Sequence, residues 1–250
     1  MESIKLEMAK SKIFWMIFVI LNGFAIVLMV ATLAAPDWVE VDDSKYELHF
    51  KGSLYGLIET SYAFRKWENG EYKGTEDDWC DLKDNYTGDI AGFYAAGCTL
   101  FGTLATFGTV FVSFEVLSIV YAFANIAGLA LFFINLDLLW LSFGSMIASN
   151  LWHLVGFISF VVSNSVMFSG DCDTFRDKDE PQDLCALSGP VLALFLSLFM
   201  LVCGILQCLF IGFYYKKKRY LGVPMWKIKI GDIEEPNRGG KADQNVHEQD

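Results

Sequence analysis

Positive charge is missing from the centre of this chain. No Lys or Arg occurs between Asp84 and Phe175, and residues 90–168 form a nearly unbroken apolar stretch. The sequence also has no Cys-x-x-Cys pair, no glycine-rich phosphate loop and no histidines at metal-ligand spacing. Thiol-redox, nucleotide-dependent and metal-dependent catalysis are thus left without the residues they require. We predict no enzymatic activity, no cofactor and no small-molecule substrate.

What the chain does have is apolar length and negative charge. Of its 250 residues 54% are hydrophobic, and the formal net charge is -11. Residues 13–35 and 189–213 contain no charged residue, and as helices both runs exceed the roughly 30 Å of a bilayer's hydrocarbon layer. The composition is typical of an integral membrane protein, and its acidity argues against nucleic acid as a partner.

Charge placement predicts four spans with both termini in the cytoplasm. Lys216, Lys217, Lys218 and Arg219 follow the last apolar run, and the segment before the first run is net basic, which assigns both ends to the cytoplasmic side. The central apolar stretch must then leave and re-enter the same side, as two long helices with an interfacial turn would. The predicted segments are a cytoplasmic N-terminus 1–12, spans 13–35, 90–121, 144–168 and 189–213, external loops 36–89 and 169–188, a turn at 122–143 and a cytoplasmic tail 214–250.

Two parts of this topology have alternatives. The run at 13–35 exceeds the length of a signal-peptide core, so we interpret it as a retained span. Ser-Phe-Glu at 113–115 is the competing position for the turn, and it would require a re-entrant or additional segment.

The first external loop is predicted to contain a small antiparallel sheet. Its candidate strands are rich in β-formers and separated by Asp, Gly and Asn turn signals. Three or more such strands with one apolar face are stable where an isolated hairpin is not. The predicted strands lie at 38–41, 46–50, 53–59 and 70–74. The predicted fold is therefore an all-α transmembrane four-helix bundle with a small antiparallel β-sheet in the first external loop.

Small residues recur every three or four positions in two of the predicted spans. Because lipid tails are as apolar as leucine, small residues serve helix association by letting backbones approach closely. We interpret them as packing positions within one subunit, with dimerisation as the alternative. These residues are Ala91, Ala95, Gly102 and Ala105 in the second span and Gly204 and Gly212 in the fourth.

A few loop residues, together with the topology, resemble the claudin/PMP22-like four-span superfamily. Its first external loop carries a Trp, then Gly-Leu-Trp, then a pair of Cys. Here Trp38 follows the first span, Gly56 and Leu57 match two residues of the triplet, Cys80 stands as the second Cys, and Ser61 occupies the position of the first.

This resemblance covers residues 13–213 by topology. It implies a non-catalytic multi-pass protein that acts structurally, in adhesion or in the organisation of a membrane assembly. The alternative it offers is an auxiliary subunit of a larger channel, receptor or membrane enzyme. Its partners would be the bilayer and other integral membrane proteins or a second copy, in the plasma membrane or another endomembrane-derived membrane.

Serine at position 61 removes the disulfide of the superfamily's first loop. We predict that Cys172 and Cys185 pair across the second external loop, with a bridge between the two loops as the alternative. Cys80 is then a free thiol, an intermolecular link or a competitor for one of the other two.

Three ionisable residues lie within the apolar stretch: Glu115, Asp137 and His153. Intramembrane ionisable residues are candidates for an ion or proton pathway, which makes an ion-conducting channel subunit a third hypothesis. We favour the interpretation that Glu115 and Asp137 lie near the cytoplasmic interface and that His153 hydrogen-bonds within the bundle.

Two further sites are predicted outside the spans. Asn85 begins Asn-Tyr-Thr, a glycosylation sequon, close to the predicted membrane entry at Ile90. The basic run Lys216–Arg219 begins a tail segment that we expect to lie on an anionic leaflet.

Overall fold

The protein is described by a computed structural model and is mostly helical. The structure describes residues 2–43, 48–62, 65–66, 70–133, 138–168 and 184–221. The helices are α1 (Glu2–Ala34), α2 (Tyr72–Asn85), α3 (Asp89–Phe133), α4 (Leu139–Ser163) and α5 (Ser188–Leu221). The strands are β1 (Val39–Asp43), β2 (Leu48–Gly52), β3 (Leu57–Tyr62), β4 (Arg65–Lys66), β5 (Val166–Met167) and β6 (Leu184–Ala186).

Four of these helices are long and apolar enough to cross a membrane. Their candidate spans are Trp15–Ala34, Asp89–Leu131, Leu139–Ser163 and Ser188–Phe213. Long apolar runs favour helix where proline is absent from the interior, and Pro190 lies in the first turn of α5, where proline is tolerated. The expectation of four long apolar helices is confirmed. We call the packed assembly of α1, α4, α5 and the second half of α3 the bundle.

Helix α3 corrects the predicted end of the second span. It has 45 residues and is therefore about 67 Å long. It runs unbroken through 113–115, so the competing position for the turn is wrong, and it continues past the predicted end at residue 121. It nevertheless ends within the predicted turn at 122–143. The connection to α4 falls between Phe133 and Leu139, and residues 134–137, including Asp137, lie outside the described part of the chain. Good helix formers such as Ala and Leu fill 122–133, and nothing there stops the helix.

Helices α3 and α4 approach very closely. The Ser118 hydroxyl donates to the Ser149 carbonyl at 2.9 Å, and the Ser149 hydroxyl donates to the Ser118 carbonyl at the same distance. Further along, a Cβ on Gly128 would lie 2.8 Å from the backbone nitrogen of Ser142. Only glycine fits at such an approach, which is a common way for apolar helices to associate.

The sheet differs from the prediction in its composition. Its strand order is β4-β3-β2-β1-β6-β5. Neighbours pair antiparallel except β5 and β6, which pair parallel. The sheet is therefore mixed, and the segments after α4 and before α5 contribute β5 and β6. The prediction confined it to the first loop because these two strands are too short to be recognised by alternation.

The predicted strand at 70–74 is wrong, because α2 begins at Tyr72. The buried residues of α2 are Tyr72, Thr75 and Trp79. This spacing of three, four and seven places them on one helical face. Glu71 alone forms a bridge, with Gly56.

A second unit stands at one end of the bundle. It consists of the sheet, α2 and residues 89–108 of α3, and we call it the head. Its core is continuous with the bundle through Trp38, whose ring lies 5.0 Å from the rings of both Phe111 and Phe160. The head is thus packed onto the bundle by large buried aromatics.

Candidate functional site

Helices α2 and α3 form a hairpin that a disulfide closes. Cys80 bonds to Cys98, with the Cα atoms 4.9 Å apart. This corrects the prediction that Cys80 is a free or intermolecular thiol. The error arose because Cys98 was assigned to a membrane span, whereas the first half of α3 belongs to the head. Closing a loop of 18 residues stabilises by about 3 kcal/mol in the chain-entropy model.

Trp79 fills the space between the two helices of this hairpin. Its ring lies 5.2 Å from Phe93, 5.4 Å from Tyr94 and 5.3 Å from Phe101. A Cβ on Gly97 would overlap the Trp79 ring. The hairpin therefore depends on the large side chain of Trp79 and on the absence of a side chain at Gly97.

The residues that carry the superfamily resemblance are structural in this fold. Trp38 is fully buried, and its backbone joins β2 and the start of α5 through Gly52 and Leu187. Gly56 ends a tight turn in which the Ser53 amide donates to the Gly56 carbonyl at 2.9 Å, and a Cβ there would overlap Gly70. Leu57 is buried in the core of the head.

Cys185 belongs to the sheet and is disulfide-bonded. Its predicted partner, Cys172, lies outside the described residues. Because Cys80 is paired with Cys98, the alternative in which Cys80 competes for Cys185 is wrong.

Tyr72 links α2 to the sheet. Its hydroxyl donates to the Ser53 carbonyl at 2.7 Å, and the ring fits against Gly52, which has no side chain to obstruct it. Burial raises the pKa of the Tyr72 hydroxyl well above its usual value, because the ionised form would lose its hydration.

The outer face of α2 is acidic. Asp77, Asp78, Asp81 and Asp84 are exposed. Lys73 lies 2.8 Å from Glu76 and 3.3 Å from Asp77, and hydrogen bonds to these two carboxylates raise the pKa of its ammonium group. The four aspartates leave a negative surface facing outward.

Inside the bundle, polar side chains form a column of three layers. The first layer is a ring with one residue from each helix: Asn22, Asn125, Ser142 and Gln207. Asn125 donates to Asn22 at 2.8 Å, Asn22 donates to Gln207 at 3.1 Å, and Gln207 donates back to Asn125 at 2.8 Å. The Ser118–Ser149 pair forms the second layer.

The third layer is a line of ionisable and hydroxyl groups. Glu115 Oε2 lies 2.6 Å from His153 Nδ1, and His153 Nε2 lies 2.9 Å from Ser197 Oγ. Glu115 and His153 are both fully buried. Glu115 is thus paired within the bundle, and its position near the cytoplasmic interface stays a prediction. His153 hydrogen-bonds within the bundle, as expected.

The order Glu-His-Ser resembles a hydrolase triad, but the hydrogen-bond direction is reversed. The Ser197 hydroxyl donates to the Ala193 carbonyl at 2.9 Å, so Nε2 donates to the serine oxygen. In a hydrolase, Nε2 must instead accept the serine proton. The arrangement therefore connects α3, α4 and α5.

The predicted small-residue positions divide between the two units. Gly102 is covered by α2, since a Cβ there would lie 2.9 Å from Glu76 Oε1, and Ala105 packs against the core of the head. Ala91 and Ala95 are half-buried in the same half of α3. In α5, a Cβ on Gly204 would lie 3.5 Å from the Asn150 amide nitrogen, whereas a Cβ on Gly212 would meet nothing within 4 Å.

The two sites predicted outside the spans lie at opposite ends of the molecule. Asn85 ends α2 and is exposed, and its amide donates to the Asp81 carbonyl at 2.9 Å. The basic residues Lys216–Arg219 lie on the last turns of α5, and the tail from residue 222 is outside the described part. Glycosylation and lipid binding stay predictions.

Two cavities lie along α4 and α5. One is an apolar groove of about 480 Å³ on the outer face, bordered by Leu201, Gly204 and Cys208. The other is a small space of about 10 Å³ inside the bundle, beside the Ser118–Ser149 layer. Ser197 lines neither of them.

Sequence reasoning missed most of the column. Asn22, Asn125 and Gln207 are single polar residues within apolar runs, which is a signal for interior positions in a membrane bundle. Predicting their mutual contacts requires knowing how deep each residue lies in the bundle. The sequence did not give that depth, because the C-terminal end of α3 was placed at residue 121 instead of Phe133.

Comparison with known proteins adds no family to this description. The chain matches no protein-family model, and no curated protein matches it.

Proposed function

We propose that the chain is a non-catalytic multi-pass membrane protein of claudin/PMP22-like type, with both termini in the cytoplasm. It acts structurally, in adhesion or in the organisation of a membrane assembly. The observation that carries this proposal is the head: six strands drawn from two distant chain segments, fixed to α3 by a hairpin and a disulfide. Such a platform is a surface suited to recognising another protein.

The bundle supports the same reading. Its polar side chains bond to one another across helices, as expected of a packed assembly held together in lipid. Large apolar residues such as Ile20, Val162 and Leu209 are each more than 60% exposed on its outside. That pattern fits a surface covered by lipid chains.

The second candidate is an auxiliary subunit that docks through the bundle. The apolar groove between α4 and α5 favours it, because a partner helix would fit against Gly204 and its neighbours. An ion-conducting role has weaker support. Both imidazole nitrogens of His153 and one carboxylate oxygen of Glu115 are engaged in contacts between helices.

The test is purification of the tagged native protein in a gentle detergent, followed by mass spectrometry of co-purifying proteins. Two variants separate the candidates. Asp78→Asn, Asp81→Asn and Asp84→Asn together neutralise the outer face of the head, and Leu201→Trp fills the groove. Loss of partners with the head variant alone supports adhesion or assembly through the head. Loss with the groove variant alone supports the auxiliary subunit, and unchanged partners with both would refute recognition by either surface.

A further inference from the structure

Four sulfur-bearing side chains line the small cavity inside the bundle. Its lining includes Met29 from α1, Met146 from α4, and Met200 and Cys203 from α5. The relative exposure of these four side chains is 0%, 4%, 5% and 9%. A space of about 10 Å³ holds about one water molecule or one metal ion. We call these four residues and the space between them the sulfur site.

We propose that the sulfur site binds one Cu(I) ion. Three thioethers and a thiolate form a soft ligand set, and soft sulfur ligands select Cu(I) over Zn²⁺, Mg²⁺ or Ca²⁺. Methionine has three rotatable bonds, so each thioether is able to close onto an ion from its own helix. The ligands come from three helices, and a bound ion would join all three.

The charges balance with Cu(I) and do not balance with a divalent ion. On binding, the S–H bond of Cys203 breaks, its proton passes to solvent, and a S–Cu bond forms with no change in oxidation state. The thiolate and the Cu(I) ion then sum to zero charge. A divalent ion would leave one positive charge in the apolar interior, which is costly.

Most of the polar groups that line the cavity already have hydrogen-bond partners, which argues against water as the occupant. Asn22 donates to Phe18 and Gln207 and accepts from Asn125. Ser149 is bonded to Ser118, and the Asn150 amide donates to the Met146 carbonyl. A buried water needs two to four polar partners, whereas thioether sulfur suits a soft metal. The Met29 sulfur accepts a hydrogen bond from the Ser118 hydroxyl at 3.6 Å, and a bound ion would replace this contact.

The sulfur site and the apolar groove are neighbours. Met146, Asn150 and Gly204 line both of them. Cys208 lines the groove and is not in a disulfide, so it is a second thiol near the site that is not one of the four proposed ligands.

The test is a Cu(I) titration of the purified full-length protein in detergent, without oxygen. Ascorbate keeps the copper reduced, and the chelator bicinchoninate competes for it. We expect the wild type to retain one equivalent. Met29→Leu and Met200→Leu should each weaken binding at least 10-fold and Cys203→Ser at least 100-fold, while Met16→Leu, at an exposed position, leaves it unchanged. Leucine conserves the volume of methionine, so the core should stay intact.

X-ray absorption at the copper edge of the wild type tests the ligands without relying on a variant that folds. Coordination by sulfur alone supports the proposal. Nitrogen or oxygen ligands would overturn it, as would failure of the wild type to hold Cu(I) against the chelator. Equal affinity of the wild type and the Met29, Met200 and Cys203 variants would also overturn it.

Discussion

The two halves of α3 have similar composition and different surroundings. Residues 89–108 are covered by the head: Gly97 faces Trp79, and Gly102 faces Glu76. Residues 109–133 are covered by other apolar helices, with Ser118 bonded to Ser149. Hydropathy reports that a segment avoids water, and it does not report whether lipid or protein covers it. This is why residues 90–121 were assigned as a whole to one membrane span.

The two halves are also held by different forces. The first half uses aromatic burial and a covalent bond, while the second uses hydrogen bonds and close backbone contact. This difference is expected if only the head meets water, because the hydrophobic effect drives packing there. Between helices in lipid that force is absent, and polar contacts and small residues replace it.

Trp79→Ala should destabilise the packing of the first half of α3 and leave that of the second half unchanged. Removing a buried Trp costs about 4 kcal/mol, and the loss should fall on the head. Hydrogen exchange would show α2 losing protection while the α3–α4 contact keeps it. Trp140→Ala, at a position 68% exposed, is the control. Equal loss of protection in the bundle would contradict the division into two units.

Glu115→Leu and His153→Leu should each destabilise the packing of the second half of α3 and leave that of the first half unchanged. Each leaves one buried partner without the other, which costs about 3 kcal/mol. The double variant should cost no more than either single change, because no unpaired group is left. Thermal unfolding in detergent measures all three. Additive losses would show that the two residues do not act as a pair.

Cys80→Ser combined with Cys98→Ser should lower the stability of the head by about 3 kcal/mol. Trypsin cleavage of α2 should become faster, while the bundle fragments stay protected. Cys208→Ser is the matched control, since Cys208 is not in a disulfide. Thiol titration of the wild type before and after denaturation should show that Cys80 does not react without reductant. A reactive Cys80 would contradict the disulfide.

Tyr72→Phe should have the smallest effect, about 1 kcal/mol, from loss of one hydrogen bond. In the folded state the pKa of Tyr72 is raised, so the folded protein holds its proton while the unfolded chain loses it above pH about 10. Stability should therefore fall as pH rises through that range. The Phe variant should lose that part of the dependence, and Tyr55→Phe, at an exposed position, should keep it.

The parts of this fold that the sequence predicts are those indicated by patterns within a continuous stretch of residues. Four apolar helices follow from long uncharged runs, and strands β1, β2 and β3 lie near three of the predicted ones. The helix α2 was missed because residues 70–74 were predicted to be a strand, against the helical spacing of Tyr72, Thr75 and Trp79. The Cys80–Cys98 pair, the ring around Asn125 and the Glu115–His153 pair depend on how distant segments align in depth, which no local pattern records.

The pairing of β1 with β6 has a consequence for biosynthesis. Val39 pairs with Ala186, and Glu40 pairs with Cys185, so the ribosome completes most of the chain before β1 finds its second neighbour. Until then β1 has an unpaired edge, which is a site for wrong pairing between nascent chains. The head therefore cannot finish folding until β6 has been synthesised, which is just before the last helix, α5.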